Sequence, residues 1–304
     1  MQASYICPAL TPFASDKSVD EVQLKAFVDY LCANHIDGIL LGGSSGEFYA
    51  LSFEEMKSFI QKGIKAVDSR IKLICGTGRC DKEETIELSQ FALREGADAV
   101  MLVGPYYSAA SEKQIFAYFD EVIAKIDGAV YLYNYPERMG YDISAELLYK
   151  LKSRHDNLVG VKDTHSVLRH SQRYIQMICS RYPDFEVYTG YDNNCAALVL
   201  SGGAGCIGAL SNIIPAACKA LLYAIRDKDL ARLAQLQQEI DRAFSIYEQP
   251  DQFNLILKWI LQEAGINFRE IYRAPLMPLS AEQKESYAEV KDLLISIQKK
   301  YEGD

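Results

Sequence analysis

Short apolar runs recur along the chain, and each interval between them has room for an amphipathic helix. The runs are continuous instead of alternating with polar residues, which is typical of strands buried on both faces of a parallel sheet. The intervening stretches, such as VDEVQLKAFVDYLCAN and KEETIELSQFALREGA, place apolar residues at helical spacing. The pattern therefore predicts eight strands, which are SYICPAL (4–10), GILLGG (38–43), KLICGTG (72–78), AVMLVGP (99–105), AVYLYNYP (129–136), LVGVKDT (158–164), FEVYTGYD (185–192) and GCIGALSN (205–212).

Eight strand–helix units predict an α/β protein with a closed (β/α)8 barrel, the TIM-barrel fold. One helix start is also readable, because Ser52 and Glu55 have the spacing of a capping box. A doubly wound open sheet is the alternative fold. The phosphate-binding fingerprint that such a sheet would often carry is incomplete here, since GTGRCD lacks the third glycine of G-x-G-x-x-G.

The strand pattern stops near residue 226. Three helical patterns follow, over 228–249, 251–265 and 281–301, and the segment FREIYRAPLMPLS with its two prolines is a predicted loop. We therefore expect a catalytic barrel over residues 1–225 and a small C-terminal helical domain over residues 226–304.

The overall charge and the N-terminal sequence exclude several classes of function. The 304 residues carry a formal net charge of -9, which argues against nucleic acid or an anionic membrane surface as the main partner. No uninterrupted apolar run is long enough to cross a bilayer. The N-terminal stretch MQASYICPALTPF lacks the basic and apolar regions of a signal peptide, so none is predicted.

The eight cysteines include no C-x-x-C pair, and several lie in apolar strand-like runs. We interpret them as small buried hydrophobic residues of a protein in the reducing cytoplasm. The four histidines do not lie at metal-ligand spacing with them, so no zinc site is predicted. These histidines are His35, His155, His165 and His170.

Polar side chains follow the predicted strands at their carboxyl ends, where the active site of a parallel barrel lies. The second strand ends in GGSSGE, the fourth in PYY and the seventh in TGYD, while the fifth runs into YNYPERMG. Hydroxyls, phenols, one arginine and one lysine are therefore expected at a single mouth. The residues concerned are Ser44, Ser45, Gly46, Tyr106, Tyr107, Tyr133, Arg138, Lys162, Tyr191 and Asp192.

Lys162 lies in an apolar run, where burial disfavours its charged form. A neutral amine can attack a ketone and form a Schiff base, and the iminium then withdraws electrons from the neighbouring carbon–carbon bonds. Tyr133, on the adjacent strand, can transfer the protons that this chemistry needs. The GSSG stretch offers two hydroxyls and a close-approaching backbone to a substrate carboxylate.

Several of these residue types also occur in purely structural roles. A lone lysine near a strand end often lies with its ammonium at the surface, and paired tyrosines often serve packing or an interface. His165 and His170 are interpreted as helix-surface residues. Asp163 is either a partner for a nearby cation or the N-cap of the next helix. The functional interpretation rests on the joint placement, one feature per strand in barrel order.

At these positions the sequence resembles the pyruvate-dependent class I aldolases of the dihydrodipicolinate synthase and N-acetylneuraminate lyase family. The resemblance runs through nearly the whole chain, because TPF, GSSGE, GTG, PYY, YNYP, GVK and the glycine-rich eighth strand occur in the family's order. It implies a TIM barrel with C-terminal helices and no metal or organic cofactor. It also implies small-molecule substrates, pyruvate with an aldehyde or keto acid, and a homotetramer built as a dimer of dimers.

The resemblance also assigns roles to individual residues. Lys162 would be the Schiff-base lysine and Tyr133 the proton-transfer tyrosine. Ser44 would link Tyr133 to Tyr107, which would be contributed across a dimer interface. A further set would bind substrate: Ser45 and Gly46 at the pyruvate carboxylate, Ile207 through its carbonyl near the imine, and Arg138.

The motifs divide between subgroups of this family. GGSSGEF, ETIELSQ, GVKDT and TGYD resemble the 2-keto-3-deoxy-gluconate and galactonate aldolases, and we expect Tyr191 and Asp192 to contact the polyol. Arg138 in NYPERMG is instead typical of dihydrodipicolinate synthase, which condenses pyruvate with aspartate semialdehyde, although Met139 replaces the Thr or Ser usual there. Reversible cleavage of a 2-keto-3-deoxy sugar acid is the leading hypothesis. The synthase, N-acetylneuraminate lyase and a keto-acid-binding sensor are the alternatives.

Overall fold

The computed structural model describes residues 3–108, 110–248 and 252–303. Its strands form a closed barrel in chain order, and the registered neighbours run parallel. This confirms the predicted fold class. The strands are β1 (Ser4–Pro8), β2 (Gly38–Leu41), β3 (Lys72–Gly76), β4 (Ala99–Val103), β5 (Val130–Asn134), β6 (Leu158–Asp163), β7 (Glu186–Thr189) and β8 (Gly205–Cys206).

Each strand lies within the run that predicts it and ends before that run does. The largest difference is β8, which has two residues, while the rest of its run contains a 3-10 helix at Ala209–Asn212. The shortening leaves the polar carboxyl ends of the runs as loops, which is where catalytic side chains of such barrels lie.

Helices alternate with the strands, and further described helices follow β8. They are α1 (Glu21–Ala33), α2 (Phe53–Val67), α3 (Lys82–Glu95), α4 (Glu112–Ala124), α5 (Pro136–Met139), α6 (Ala145–Lys152), α7 (Leu168–Tyr174), α8 (Cys195–Leu200), α9 (Pro215–Arg226), α10 (Leu230–Ala243), α11 (Phe253–Glu263), α12 (Ala281–Ser286) and α13 (Ala288–Tyr301). None of the helices described is long and apolar enough to cross a membrane.

The predicted start of α2 is confirmed. The Ser52 hydroxyl accepts a hydrogen bond from the Glu55 amide, and the Glu55 carboxylate accepts one from the Ser52 amide at 2.9 Å. This reciprocal capping box satisfies two amides that the first turn of a helix would otherwise leave without a partner.

The chain divides into two compact units. The first comprises Leu73–Ile207 with the chain up to Ser4, and it contains β4 to β8 and α3 to α8. The second comprises Tyr5–Lys72 and the chain from Gly208 onward, so it combines β2, α1 and α2 with the C-terminal helices. The predicted domain boundary between residues 225 and 226 stays a prediction.

Within the second unit the C-terminal segment is joined to α1 and to α9 by hydrogen bonds and by packing of aromatic rings. The Gln298 side chain accepts a hydrogen bond from the Ala216 amide and donates one to Asn34 at 2.8 Å. The rings of Phe27 and Phe268 meet edge to face, with centroids 5.0 Å apart. These contacts join α13 and the segment after α11 to the end and the buried face of α1.

The predicted helix over 281–301 is two helices. Its backbone leaves the helical conformation at Tyr287, where φ is -97° and ψ is 1°, and α13 begins at the next residue. Tyr287 is buried, so packing of its ring accompanies this break. The predicted helix limits at residues 249 and 251 lie outside the described residues.

Candidate active site

Lys162 is buried near the end of β6, with 5% of its surface exposed. Tyr133 of β5 is its neighbour across the sheet and pairs with it in register. The Lys162 Nζ lies 4.4 Å from the centroid of the Tyr133 ring. A β-carbon built on Gly190 would lie 3.2 Å from the Lys162 Cε, so this glycine leaves room for the lysine chain. The amine and the phenol are therefore held side by side in a largely dry environment.

Arg138 lies on the single helical turn α5. Pro136 begins this turn with a φ suited to a helix start, and Gly140 ends it with a φ of 79°. The guanidinium carbon of Arg138 lies 5.2 Å from the centroid of the Tyr135 ring, so the arginine is held over an aromatic face. Met139 is buried, and its sulfur accepts a hydrogen bond from the Tyr135 amide at 3.1 Å.

Two phenols lie near this arginine. Tyr135 and Tyr191 share a hydrogen bond, and burial raises the pKa of both hydroxyls. The Tyr135 ring lies 6.0 Å from the Tyr133 ring, between centroids. The carboxyl ends of β5 and β7 thus supply adjacent neutral phenols, which can donate to and accept from hydroxyl groups of a ligand. Tyr135 is a candidate site residue that sequence reasoning missed.

The remaining predicted residues of the first unit differ in exposure. Asp192 and Ile207 are fully buried, and the Ile207 amide donates to the Thr189 carbonyl at 2.9 Å. Tyr107 is 100% exposed and adopts a left-handed backbone with φ of 75°, whereas burial raises the pKa of its half-buried neighbour Tyr106. Within one chain, the structure therefore places the Tyr107 ring in solvent and not in a packed site.

Ser44, Ser45 and Gly46 belong to the second unit and form a tight loop after β2. The Ser44 carbonyl accepts hydrogen bonds from the Glu47 amide at 3.2 Å and from the Asn254 side chain at 3.0 Å. The Gly46 carbonyl accepts one from the Thr11 hydroxyl at 2.6 Å. Because these carbonyls are engaged by the protein, the loop conformation is fixed.

A buried ion pair anchors the end of this loop. Glu47 and Lys258 of α11 are both fully buried, and the Lys258 Nζ donates to the Glu47 carboxylate and to the Ile271 carbonyl. The other Glu47 oxygen accepts from the Arg273 amide at 3.2 Å. Burial lowers the pKa of Lys258, and the Glu47 charge opposes that shift. Sequence reasoning missed this pair, since its members are 211 positions apart.

The interpretation of His170 as a helix-surface residue is wrong. Only 16% of its side chain is exposed, and its two ring nitrogens lie 2.9 Å from Asp163 Oδ2 and 3.1 Å from Asp142 Oδ2. Asp163 is therefore the partner of a cation, and the residue at the N-cap of α7 is Val167. Within the described ranges, no three His, Cys, Asp or Glu side chains are placed to hold a metal ion.

Comparison with known proteins identifies the family. The model of the dihydrodipicolinate synthetase family matches residues 2–294. The putative 2-dehydro-3-deoxy-D-gluconate aldolase YagE of Escherichia coli K12 is 34% identical over 289 residues, 95% of each chain. The crystal structure of YagE in complex with pyruvate superposes with a TM-score of 0.92, covering 97% of this chain and 98% of that one at 33% identity.

Other relatives have different activities in their names. The probable 2-dehydro-3-deoxy-D-pentonate aldolase YjhH of E. coli K12 is 28% identical over 92% of this chain and 93% of its own. The 4-hydroxy-tetrahydrodipicolinate synthase of Bartonella bacilliformis is 31% identical over 91% of this chain and 92% of its own. The family model covers almost the whole chain, and the enzyme class predicted from the sequence is confirmed. The chain belongs to the dihydrodipicolinate synthetase family and is a pyruvate-dependent lyase of the class I aldolase type.

Proposed function

We propose that the enzyme reversibly cleaves a 2-keto-3-deoxy sugar acid to pyruvate and an aldehyde, with Lys162 as the Schiff-base nucleophile. The observation that carries the proposal is the buried Lys162 amine held beside the Tyr133 phenol, 4.4 Å from the ring centroid. The names of YagE and YjhH, which are 34% and 28% identical, support this class of substrate.

The reaction follows from these two side chains. The Lys162 amine attacks the C2 ketone, and loss of water leaves a protonated imine. The C3–C4 bond then breaks as the C4 hydroxyl gives up its proton, the aldehyde leaves, and the bonding electron pair passes into the iminium to form an enamine. Protonation at C3 and hydrolysis of the imine release pyruvate and restore the amine. Tyr133 is the proposed donor and acceptor of these protons.

Other parts of the proposal rest on the family resemblance. Ser45 and Gly46 would hold the pyruvate carboxylate, Ile207 would present its carbonyl to the imine, and Ser44 would relay protons between Tyr133 and Tyr107. The full exposure of Tyr107 in a single chain supports its contribution to a second copy, in a homotetramer built as a dimer of dimers. The eight cysteines are all thiols and not disulfides, which supports a location in the cytoplasm.

The phenols near Arg138 favour a polyol over a second amino acid as the aldehyde partner. The hydrogen-bonded pair Tyr135 and Tyr191 offers donors and acceptors to hydroxyl groups. Asp192, at the same strand end, remains a proposed polyol contact although it is fully buried. One observation favours the synthase as a second candidate: Arg138 could pair with the carboxylate of aspartate semialdehyde through a bidentate contact.

The pyruvate balance separates the two candidates. We expect pyruvate to be released from 2-keto-3-deoxy-gluconate and not to be consumed with aspartate semialdehyde. Arg138→Gln should then lower kcat/KM for the sugar acid by about tenfold or less, the effect of one hydrogen bond. Arg169→Gln, an exposed arginine on α7, is the matched control. If pyruvate is instead consumed only together with the semialdehyde, and Arg138→Gln abolishes this consumption, the synthase and not the aldolase is the correct assignment.

A further inference from the structure

A closed network of polar side chains lies at the carboxyl ends of β5 and β6. We call it the His170 cluster, and its members are Asn134, Asp142, Asp163, His170 and Ser171. The Asn134 side chain donates to Asp142 at 2.8 Å and to Asp163 at 2.9 Å, and its oxygen accepts from the Ile143 amide at 3.0 Å. The Ser171 hydroxyl donates to Asp163 Oδ2 at 2.6 Å. Asn134 and Asp163 are fully buried.

His170 is the cation of this cluster. Each ring nitrogen faces a carboxylate oxygen, an arrangement that only the doubly protonated imidazolium satisfies from both sides. Burial acts to lower the pKa of His170, but the hydrogen bonds to Asp142 and Asp163 outweigh it and raise the pKa to about 10. Burial acts to raise the pKa of Asp142, but the hydrogen bonds that its carboxylate accepts from His170 and Asn134 outweigh burial and lower that pKa. Two carboxylates and one imidazolium leave the cluster with a net charge of about -1 at neutral pH.

The groups that face His170 come from several elements. His165, on the loop before α7, stacks on its ring with centroids 4.5 Å apart, and Tyr174 meets it edge to face at 4.8 Å. On the neighbouring α6, Glu146 is paired with Arg173 of α7, so its charge is already compensated. Asp142 and Asp163 are thus the carboxylates that hold the imidazolium.

The cluster is attached to the proposed catalytic residues through the two strands. Tyr133 of β5 pairs with Lys162 of β6. The residues that follow them, Asn134 and Asp163, pair with each other in the same register. Because successive side chains of a strand point to opposite faces, the cluster lies behind the face that carries the amine and the phenol. The direct Asn134–Asp163 hydrogen bond joins the two strand ends at this level.

We propose that the His170 cluster positions Lys162 by fixing the ends of β5 and β6. The charge balance of the cluster then sets the pH at which the lysine forms its imine. The proposal rests on the proposed role of Lys162. In this proposal the cluster acts through the two strands and not through contact with substrate. Removing the imidazolium would leave two carboxylates behind the lysine and favour its charged, unreactive form. Removing one carboxylate would do the opposite.

The test is the pH midpoint of pyruvate imine formation, measured by borohydride trapping and intact mass. For charges on opposite faces of adjacent strand residues, we expect shifts of roughly half a pH unit. His170→Gln should move the midpoint to higher pH, and Asp142→Asn should move it to lower pH, since Asp163 still keeps His170 protonated. His165→Asn is the matched control, because it removes the stacked imidazole and none of the carboxylate bonds, and it should leave the midpoint unchanged.

Opposite shifts in the two variants would support the proposal, because loss of packing alone cannot produce shifts of opposite sign. Unchanged midpoints, or shifts of the same sign, would overturn it. If His170→Gln does not fold, Asp142→Asn decides alone, since 42% of the Asp142 side chain is exposed and the substitution is isosteric. Failure of the proposed function is distinguishable, because the wild-type enzyme would then form no borohydride-stable adduct on Lys162.

Discussion

Two ionic clusters lie directly after the sequence motifs that predict the site, and they differ in charge balance and in exposure to solvent. The pair of Glu47 and Lys258, behind the Ser44–Gly46 loop, has one charge of each sign and no exposure to solvent. The His170 cluster, behind Lys162, has an excess negative charge and two partly exposed members, His170 and Asp142. The first is therefore built as a rigid anchor, whereas the protonation of the second can respond to pH.

The difference follows from the chemistry of the cations. A lysine paired with a carboxylate in a site without water changes its protonation state only when the protein unfolds, because the carboxylate would otherwise be left buried as an unpaired charge. Histidine has an unperturbed pKa near neutrality, and two carboxylates raise that of His170 to about 10. Solvent also reaches this imidazole, so it can exchange its proton in the folded protein.

The largest effect is expected from removing the cation of the rigid pair. We expect Lys258→Met to lower the free energy of unfolding by about 3–5 kcal/mol, because it leaves the Glu47 carboxylate buried without its partner. Urea denaturation measures this loss, and the loss should change little across neutral pH. Adding Glu47→Gln in the same chain should recover much of it, since neither position of the pair then carries a charge. A Lys258→Met variant as stable as the wild type would refute the assignment of this pair as an anchor.

A smaller, pH-dependent effect is expected at His170. The pKa of His170 is about 10 in the folded protein and that of a free histidine is about 6.5, so its stabilising contribution is fully present below about pH 6.5. That contribution is lost as the pH rises through about 10. The gap in unfolding free energy between the wild type and His170→Gln should therefore be largest near pH 6 and shrink toward pH 10. Urea denaturation across this range checks it, and a gap that does not vary with pH would show that His170 is not held as a cation.

The barrel was predictable because repeated continuous apolar runs of strand length are typical of a parallel sheet covered by helices. The capping box at Ser52 was readable because its partners are three residues apart. The two ionic clusters could not be found in this way. Lys258 lies in a helix whose other residues are mostly apolar, and nothing nearby in the sequence indicates Glu47 as its partner. His170 lies on a short helix in a polar stretch, and its second partner, Asp142, is 28 positions away.

The candidate site residues also divide into those that the local sequence pattern predicted and those that depend on tertiary packing. The strand order placed Tyr133 and Lys162 on adjacent strands, and their register bears out this local expectation. The phenol pair of Tyr135 and Tyr191 was recognised only in part, because it joins the ends of two strands that are not neighbours in the sequence. The exposure of Tyr107 depends on tertiary packing, which local sequence patterns do not report.

The most direct test of the proposed mechanism is borohydride reduction of the enzyme in saturating pyruvate, followed by intact mass and peptide mapping. We predict a single reduced pyruvate adduct on Lys162, its absence in Lys162→Ala, and its retention in Lys65→Ala, which alters an exposed lysine paired with Glu21. An adduct on another lysine, or none at all in the wild-type enzyme, would contradict the assignment of Lys162 as the Schiff-base residue.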